Sequence, residues 1–411
     1  MKSSIYNYIV KKENKYIVFN TLSTSLIVLD EDIYNINCID QLAADELSIL
    51  KENGFIVEDD IDEKTLVDFN RSATAFDRTC KHFRILTTTA CNARCHYCYE
   101  SGVNTMTMDN ETADAVIEYI KDKSKDAENI SIAWFGGEPM LNHKVIDKIS
   151  AALIEYTNST NKEYKANITS NGSLFTEELV EKASTDWKIG RIQITLDGVR
   201  DTYNKIKAYV DNSSFDKVIS NIKLLTSKNI YVNIRLNYDK NNYDSIKELI
   251  EYLFVELKDC KHWGLYVYPV FNNRDSSYDE EYVQKLSDLN KIIYKYSTNP
   301  VIELPQYREG SCVFASMAGE TVMPNGDLLK CCRAMHIDKP FGNVKDPENI
   351  SYNTMYARWV TPILPEKCNN CVKLPLCQGG CKAERMLGLG FEGCTPWMKV
   401  LDQTLLDYVN L

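Results

Sequence analysis

Three cysteines on one short segment, Cys91-Asn-Ala-Arg-Cys95-His-Tyr-Cys98, have the spacing C-x3-C-x2-C. Three thiolates on one loop can hold three corners of a [4Fe–4S] cluster and leave one iron open to a small chelating ligand. A closed zinc site wants four ligands, usually in paired spacings, and His96 would have to be the fourth donor. A second set lies far downstream: Cys312, Cys331, Cys368, Cys371, Cys377, Cys381 and Cys394. Within it, Cys368-x2-Cys371-x5-Cys377-x3-Cys381 is dense enough for a metal centre, iron–sulfur or a zinc ribbon. Cys38, Cys80 and Cys260 stand in ordinary sequence and read as small buried hydrophobes. Cys332 differs, because it directly follows a candidate ligand.

Composition narrows the setting. The chain has 47 Lys+Arg against 58 Asp+Glu, a net charge of −11, which disfavours general nucleic-acid binding. No stretch reaches the ~18 apolar residues of a membrane span. The first residues, MKSSIYNYIVKKENK, lack the apolar centre of a signal peptide. The expectation is a cytoplasmic protein without nucleic-acid or membrane partners, in which clustered thiols bind metal rather than form disulfides.

The elements that must position these cysteines are legible from period and punctuation. Residues 83–86, 130–135, 164–169, 192–196, 230–236 and 264–270 are β-rich runs. Each is followed by a helical pattern, at 109–123, 143–156, 176–183, 215–227, 243–257 and 280–296. Six strand–helix units in strict alternation predict an α/β fold, a partial (β/α)6 TIM-like barrel over 82–300. The first cysteine cluster then falls on the first βα loop, at the face where such barrels carry active sites. Residues 1–60 read as a small winged-helix-like module, with strands near 5–10, 16–19 and 24–29, a helix at 45–53 stopped by Gly54, and a short return strand. Residues 61–81 read as a linker, 301–397 as a cysteine-rich iron–sulfur domain with a hairpin turn at 323–327, and 398–411 as a terminal helix.

With these pieces in register, the cluster loop and its aromatic Tyr97 resemble the radical S-adenosylmethionine (SAM) enzymes. The resemblance implies that the open iron is chelated by SAM, whose reductive cleavage yields a 5′-deoxyadenosyl radical that abstracts a substrate hydrogen. Gly136-Gly137-Glu138-Pro139, after the second strand, matches the family's GGEP motif, with Glu138 implied at the methionine ammonium. Ser170-Asn171-Gly172 and Thr195-Leu196-Asp197-Gly198 follow strands three and four and resemble family segments near the SAM ribose and carboxylate. Thr195 stands where serine is common, and Lys207 where an arginine is common. Arg235, ending strand five, is a further candidate for the SAM carboxylate, with a structural ion pair as the alternative.

The second cysteine set resembles the seven-cysteine SPASM domain. That resemblance implies two auxiliary [4Fe–4S] clusters, three clusters in all. Cys312, Cys331 and Cys381 are implied for the inner one, and Cys368, Cys371, Cys377 and Cys394 for the outer. Proteins of this layout modify peptides or proteins. Sulfatase maturases carry an aspartate where this chain has Cys332. The extra N-terminal module resembles elements that grip a leader peptide by strand addition. The implied function is a peptide maturase acting on a ribosomally made precursor with a leader and forming a cross-link, a Cys thioether foremost. A flavodoxin- or ferredoxin-type donor would supply low-potential electrons. Sulfatase maturation, peptide epimerisation, or a non-enzymatic electron-transfer or zinc protein are the alternatives.

Overall fold

The computed structural model describes residues 1–30, 42–270, 280–297, 303–336, 339–387 and 394–409. Cys38 lies outside them.

Strict apolar alternation shapes the central sheet. In β6 (Cys80–Thr88), β7 (Asn129–Gly136), β8 (Glu163–Ser170), β9 (Ile189–Leu196), β10 (Tyr231–Tyr238) and β11 (Trp263–Pro269), one face carries residues such as Ile132, Trp134, Ile192, Ile194, Val232 and Ile234, all fully buried. These meet the helices α3 (Asn110–Lys123), α4 (His143–Ser159), α5 (Glu177–Thr185), α7 (Phe215–Ser227), α8 (Tyr243–Glu256) and α9 (Glu280–Tyr296) in one continuous core. The other face is polar and half-buried, with Gln193, Thr195 and Arg235 among its residues, so the inside of the curved sheet is not filled by apolar side chains as a closed TIM barrel is. All six strands are parallel, in the order β11-β10-β9-β8-β7-β6. The six predicted units are present. An additional helix, α6 (Arg200–Lys207), follows β9, where the sequence showed only the Asp197–Gly198 turn.

The sheet continues beyond the predicted barrel. β12 (Gly319–Val322) joins β6 in parallel, and β13 (Asp327–Leu329) and β14 (Gly342–Asn343) add antiparallel strands outside it. Residues assigned from sequence to a separate cysteine-rich domain therefore extend the sheet beyond β6, next to the cluster loop. The predicted hairpin turn is there: Met323 N bonds Asp327 O at 2.8 Å, and Gly326 holds φ +91°.

The N-terminal region contains β1 (Lys2–Ser3), paired to β5 (Ile56–Val57), and a meander of β2 (Asn7–Lys12), β3 (Lys15–Asn20) and β4 (Leu26–Asp30), with α1 (Ala44–Glu52) beside it. It does not stand apart. Ile17 and Phe19 share a core with Leu376, Met398, Leu401 and Leu405, and Thr21 Oγ1 donates to Val372 O at 2.5 Å.

Nor is the segment after residue 60 a slack linker. α2 (Glu63–Phe76) is capped by Asp62, and it buries Glu63, Val67, Arg71 and Ala75, a stripe at i, i+4, i+8 and i+12. Its Glu63 carboxylate accepts from Ser4 Oγ at 2.6 Å and Ile5 N at 2.9 Å. Val67 packs with Tyr6, Cys368 and Leu374.

The shared core predicts a measurable dependence. Leu401→Ala, at a fully buried site on the terminal helix Leu401–Val409, should lower the unfolding free energy by about 2–5 kcal/mol in denaturant titrations. A loss under about 0.5 kcal/mol, as on a surface, would mean that the N-terminal meander and the terminal helix do not share a core.

Candidate active site

The cluster loop leaves β6 at Thr88 and is fastened on three sides. Gly137 N bonds Thr88 O at 3.0 Å and Glu138 N bonds Ala90 O at 2.9 Å. A Cβ on Gly136 would lie 2.1 Å from Thr88 O, and one on Gly137 2.3 Å from Ala90 O. The two glycines are thus required by the close approach of the β7 loop to the cluster loop. On the second side, Asn92 Oδ1 accepts from Asn171 Nδ2 at 2.8 Å, while its own amide reaches Ser173 and Asp211. On the third, Arg94 N bonds the Lys207 carbonyl at 2.7 Å, satisfying one of the open carbonyls at the end of α6. Ala208 ends that helix in the left-handed region, at φ 44°.

Glu138 is completely buried. Its carboxylate accepts from Ser170 Oγ at 2.8 Å, Asn171 N at 2.7 Å and Met140 N at 3.1 Å. It therefore locks the β7 and β8 loops together, and burial pushes its acid up to about 7. Pro139 begins the short turn that follows, its carbonyl bonded by Thr87. Ser170 and Asn171 are likewise buried and spent on these contacts.

Beneath Tyr97 is a second network. The Tyr97 hydroxyl donates to Asp197 Oδ1 at 2.5 Å. Lys207 Nζ lies 3.0 Å from Asp197 Oδ2 and donates to Thr195 Oγ1 at 2.8 Å and to Tyr97 at 3.3 Å. Both charged side chains are buried, and Asp197 holds the Lys207 ammonium well above its usual range despite burial. Asn237 Nδ2 reaches both Asp197 and Tyr97 at 3.0 Å, and its Oδ1 accepts from Arg235 Nε at 2.9 Å. The Arg235 guanidinium stacks 4.0 Å over Tyr268 and makes no ion pair with a carboxylate.

The structure thus brings Tyr97, Thr195, Lys207 and Arg235 into one connected patch, and Gly136, Gly137, Glu138, Pro139, Ser170 and Asn171 into another. Sequence reasoning left Asp197 without a role and missed Asn92, Asn237 and α6. Asparagines that bridge loops have no spacing signal, although the Asp-Gly pair did mark Asp197.

All described cysteines are free thiols. Cys91, Cys95 and Cys98 share the loop with a turn between the last two, Cys98 N to Cys95 O at 3.1 Å. Burial pushes the Cys91 thiol up to about 11 and Cys98 in the same direction. His96 is exposed, edge-on to Tyr97. Three soft donors on one loop, held from three sides, fit an iron–sulfur cluster with one open iron.

Downstream, Cys377 and Cys368 each have Cys371 and Cys394 near enough to oppose their ionisation. Cys331 and Cys381 both pack on Ala334, Trp359 and Ala383. Cys312 is exposed at the edge of a cavity described below. Cys332 is buried, its sulfur 3.2 Å from Arg84 Nη1 and 3.4 Å from the Tyr99 hydroxyl.

Residues 85–253 match the family model of the radical SAM superfamily. This segment is a radical SAM domain. It is 41% of the chain, taking the 169 matched residues out of 411. Among curated relatives, the uncharacterized protein MJ0907 of Methanocaldococcus jannaschii is 30% identical over 42% of this chain and 58% of its own length. The radical SAM cyclopropyl synthase TigE of Paramaledivibacter caminithermalis is 22% identical over 92% of this chain and 89% of its own. Two solved structures share the fold. The sulfatase-maturase structure anSMEcpe with bound AdoMet has a TM-score of 0.63 over 80% of this chain and 93% of its own, at 17% identity. Streptococcus suis SuiB bound to precursor peptide SuiA has a TM-score of 0.54 over 94% of this chain and 96% of its own, also at 17% identity. The radical SAM domain therefore carries Cys91, Cys95 and Cys98 as its cluster triad, on the loop where the family places them. Among the described residues, no helix is long and apolar enough to cross a membrane.

Two outcomes test this site. Asp197→Asn strands the Lys207 charge in the interior and should cost about 3–5 kcal/mol of stability. Adding Lys207→Met should recover much of it, and a double variant no more stable than the single one would deny the pairing. Glu138 titrates higher in the fold than its ordinary 4.5. As pH rises from 4.5 towards 7, the unfolded chain gives up this proton first, so the contribution of Glu138 to stability falls. The wild-type advantage over Glu138→Gln should shrink across that window in denaturant midpoints, and a flat difference would place the Glu138 acid in its ordinary range.

Proposed function

We propose that the chain is a radical SAM enzyme that modifies a ribosomally made precursor peptide, joining a cysteine sulfur to carbon as a thioether. The observation that carries the reading is the fastening of Cys91, Cys95 and Cys98 to the β7, β8 and α6 loops at the mouth of an open, polar-lined sheet. Bound there, a [4Fe–4S] cluster and SAM supply a 5′-deoxyadenosyl radical. The chain's own part is to hold and orient. Glu138 and Asn92 set the loop positions. Lys207 and Asp197 fix Tyr97 and Thr195. Arg235 presents a cation to a carboxylate at the mouth, that of SAM in this reading. Cys312, Cys331 and Cys381, and separately Cys368, Cys371, Cys377 and Cys394, would hold two auxiliary clusters of SPASM type. A flavodoxin- or ferredoxin-like donor in the cytoplasm supplies the electron.

The N-terminal module is the leader-binding element of this proposal. Its support is the likeness to SuiB, which runs through the module and was solved with a precursor peptide. A second product class is favoured by the alignment with the cyclopropyl synthase over 92% of this chain: closure of a carbon ring on the peptide.

The reaction is tested by co-expression with a small cysteine-containing peptide encoded nearby, followed by mass analysis. Thioether formation and ring closure each remove two hydrogens. Only the thioether also abolishes alkylation of the peptide cysteine by iodoacetamide. An unchanged mass with deuterium uptake at Cα would replace both readings by epimerisation. In the same assay, joint replacement of Cys91, Cys95 and Cys98 by Ala should eliminate 5′-deoxyadenosine. Continued production would refute the assigned triad.

A further inference from the structure

Where the connector helix α2, β6 and the cysteine-rich region meet lies a cavity of about 230 Å³. Its wall is cationic. Arg71 comes from α2, Lys382 and Arg385 from the short helix Lys382–Leu387, and Cys312 stands on the same wall. Arg71 is 7% exposed, and Asp68 takes only its Nη2, at 2.8 Å, so that Nε and Nη1 are buried without a partner. Arg385 Nε is also buried and unpaired. Lys382 bonds only the Thr361 carbonyl, a neutral acceptor. The acid on the wall, Asp77, is bonded to Thr79 N and Oγ1. The cations also act on one another: Arg385 and Arg71 both disfavour charge on Lys382. Three buried like charges facing one cavity are unstable unless an anion shares it.

The thiols beside them identify the anion. Arg385 is within electrostatic reach of Cys368, Cys381 and Cys377, and Arg71 of Cys368. Resting on the reading that the downstream cysteines hold clusters, we infer that Arg71 and Arg385 are positioning residues for an auxiliary iron–sulfur cluster. Their free N–H groups are turned to its anionic face. A thiolate-ligated [4Fe–4S] cluster is anionic and gains a further negative charge on reduction. Fixed positive charge beside it favours the reduced state and raises its potential. Arg71 belongs to neither cysteine set. It reaches the cavity because α2 is clamped to the N-terminal module through Glu63 and packs Val67 against Cys368.

The test uses the full chain with its clusters loaded, by potentiometric titration followed by electron paramagnetic resonance, with iron counted at about four per cluster. Arg71→Met and Arg385→Met should each move the midpoint of one auxiliary cluster to more negative potential and leave the SAM-binding cluster where it was. Arg71→Lys, which keeps the charge, should move it less. Iron for one cluster only in the wild-type chain would defeat the cluster reading itself. Iron for three clusters with both auxiliary midpoints unmoved in the Arg71 and Arg385 variants would overturn this inference alone. If Arg71→Met loses iron through misfolding, the Arg71→Lys and Arg385→Met midpoints decide between the same two results.

Discussion

A lysine and an aspartate paired at 3.0 Å without solvent lie under the cluster loop. Each charge would be prohibitive to bury alone, so each fixes the other. From that pair the arrangement spreads outward. Asp197 orients Tyr97 in the middle of the cysteine triad, Lys207 orients Thr195, and the backbone of Lys207 receives the amide of Arg94. A loop bearing three ligands for one cluster must keep them in place before the cluster arrives. Here the rigidity comes from a charge pair that cannot be solvated any other way.

The same logic governs the β7 and β8 loops. Glu138 resembles a ligand-binding acid in sequence, yet its two oxygens are engaged by three protein donors. Such a carboxylate orders neighbouring loops. Residues that fit a family motif therefore serve the motif's geometry even where they touch nothing but protein. Arg235 is the opposite case, a cation on an aromatic face that no carboxylate neutralises.

The molecule is also more continuous than its sequence texture. β12 carries the sheet from the radical SAM domain into the cysteine-rich region, and the N-terminal meander completes the core around the terminal helix. α2 touches both. Any segment that binds at the N-terminal module is thereby mechanically joined to the region where Cys368 and Cys371 lie.

The sequence by itself determined the six strand–helix units, the cysteine spacing and the loops that carry GGEP, Ser-Asn-Gly and Asp-Gly. Period and punctuation are local properties, and a parallel sheet with one apolar face reports them residue by residue. It also located Tyr97, Thr195 and Lys207 as members of one site. Only the tertiary structure decided what those side chains do. Asn92, Asn237 and Arg71 come from segments without distinctive pattern, and their partners lie 79, 140 and 297 residues away, from Asn92 to Asn171, Tyr97 to Asn237 and Arg71 to Cys368. Hydrogen bonds and buried charges are settled by what packing brings within about 3 Å. Spacing along the chain does not encode that for residues so far apart.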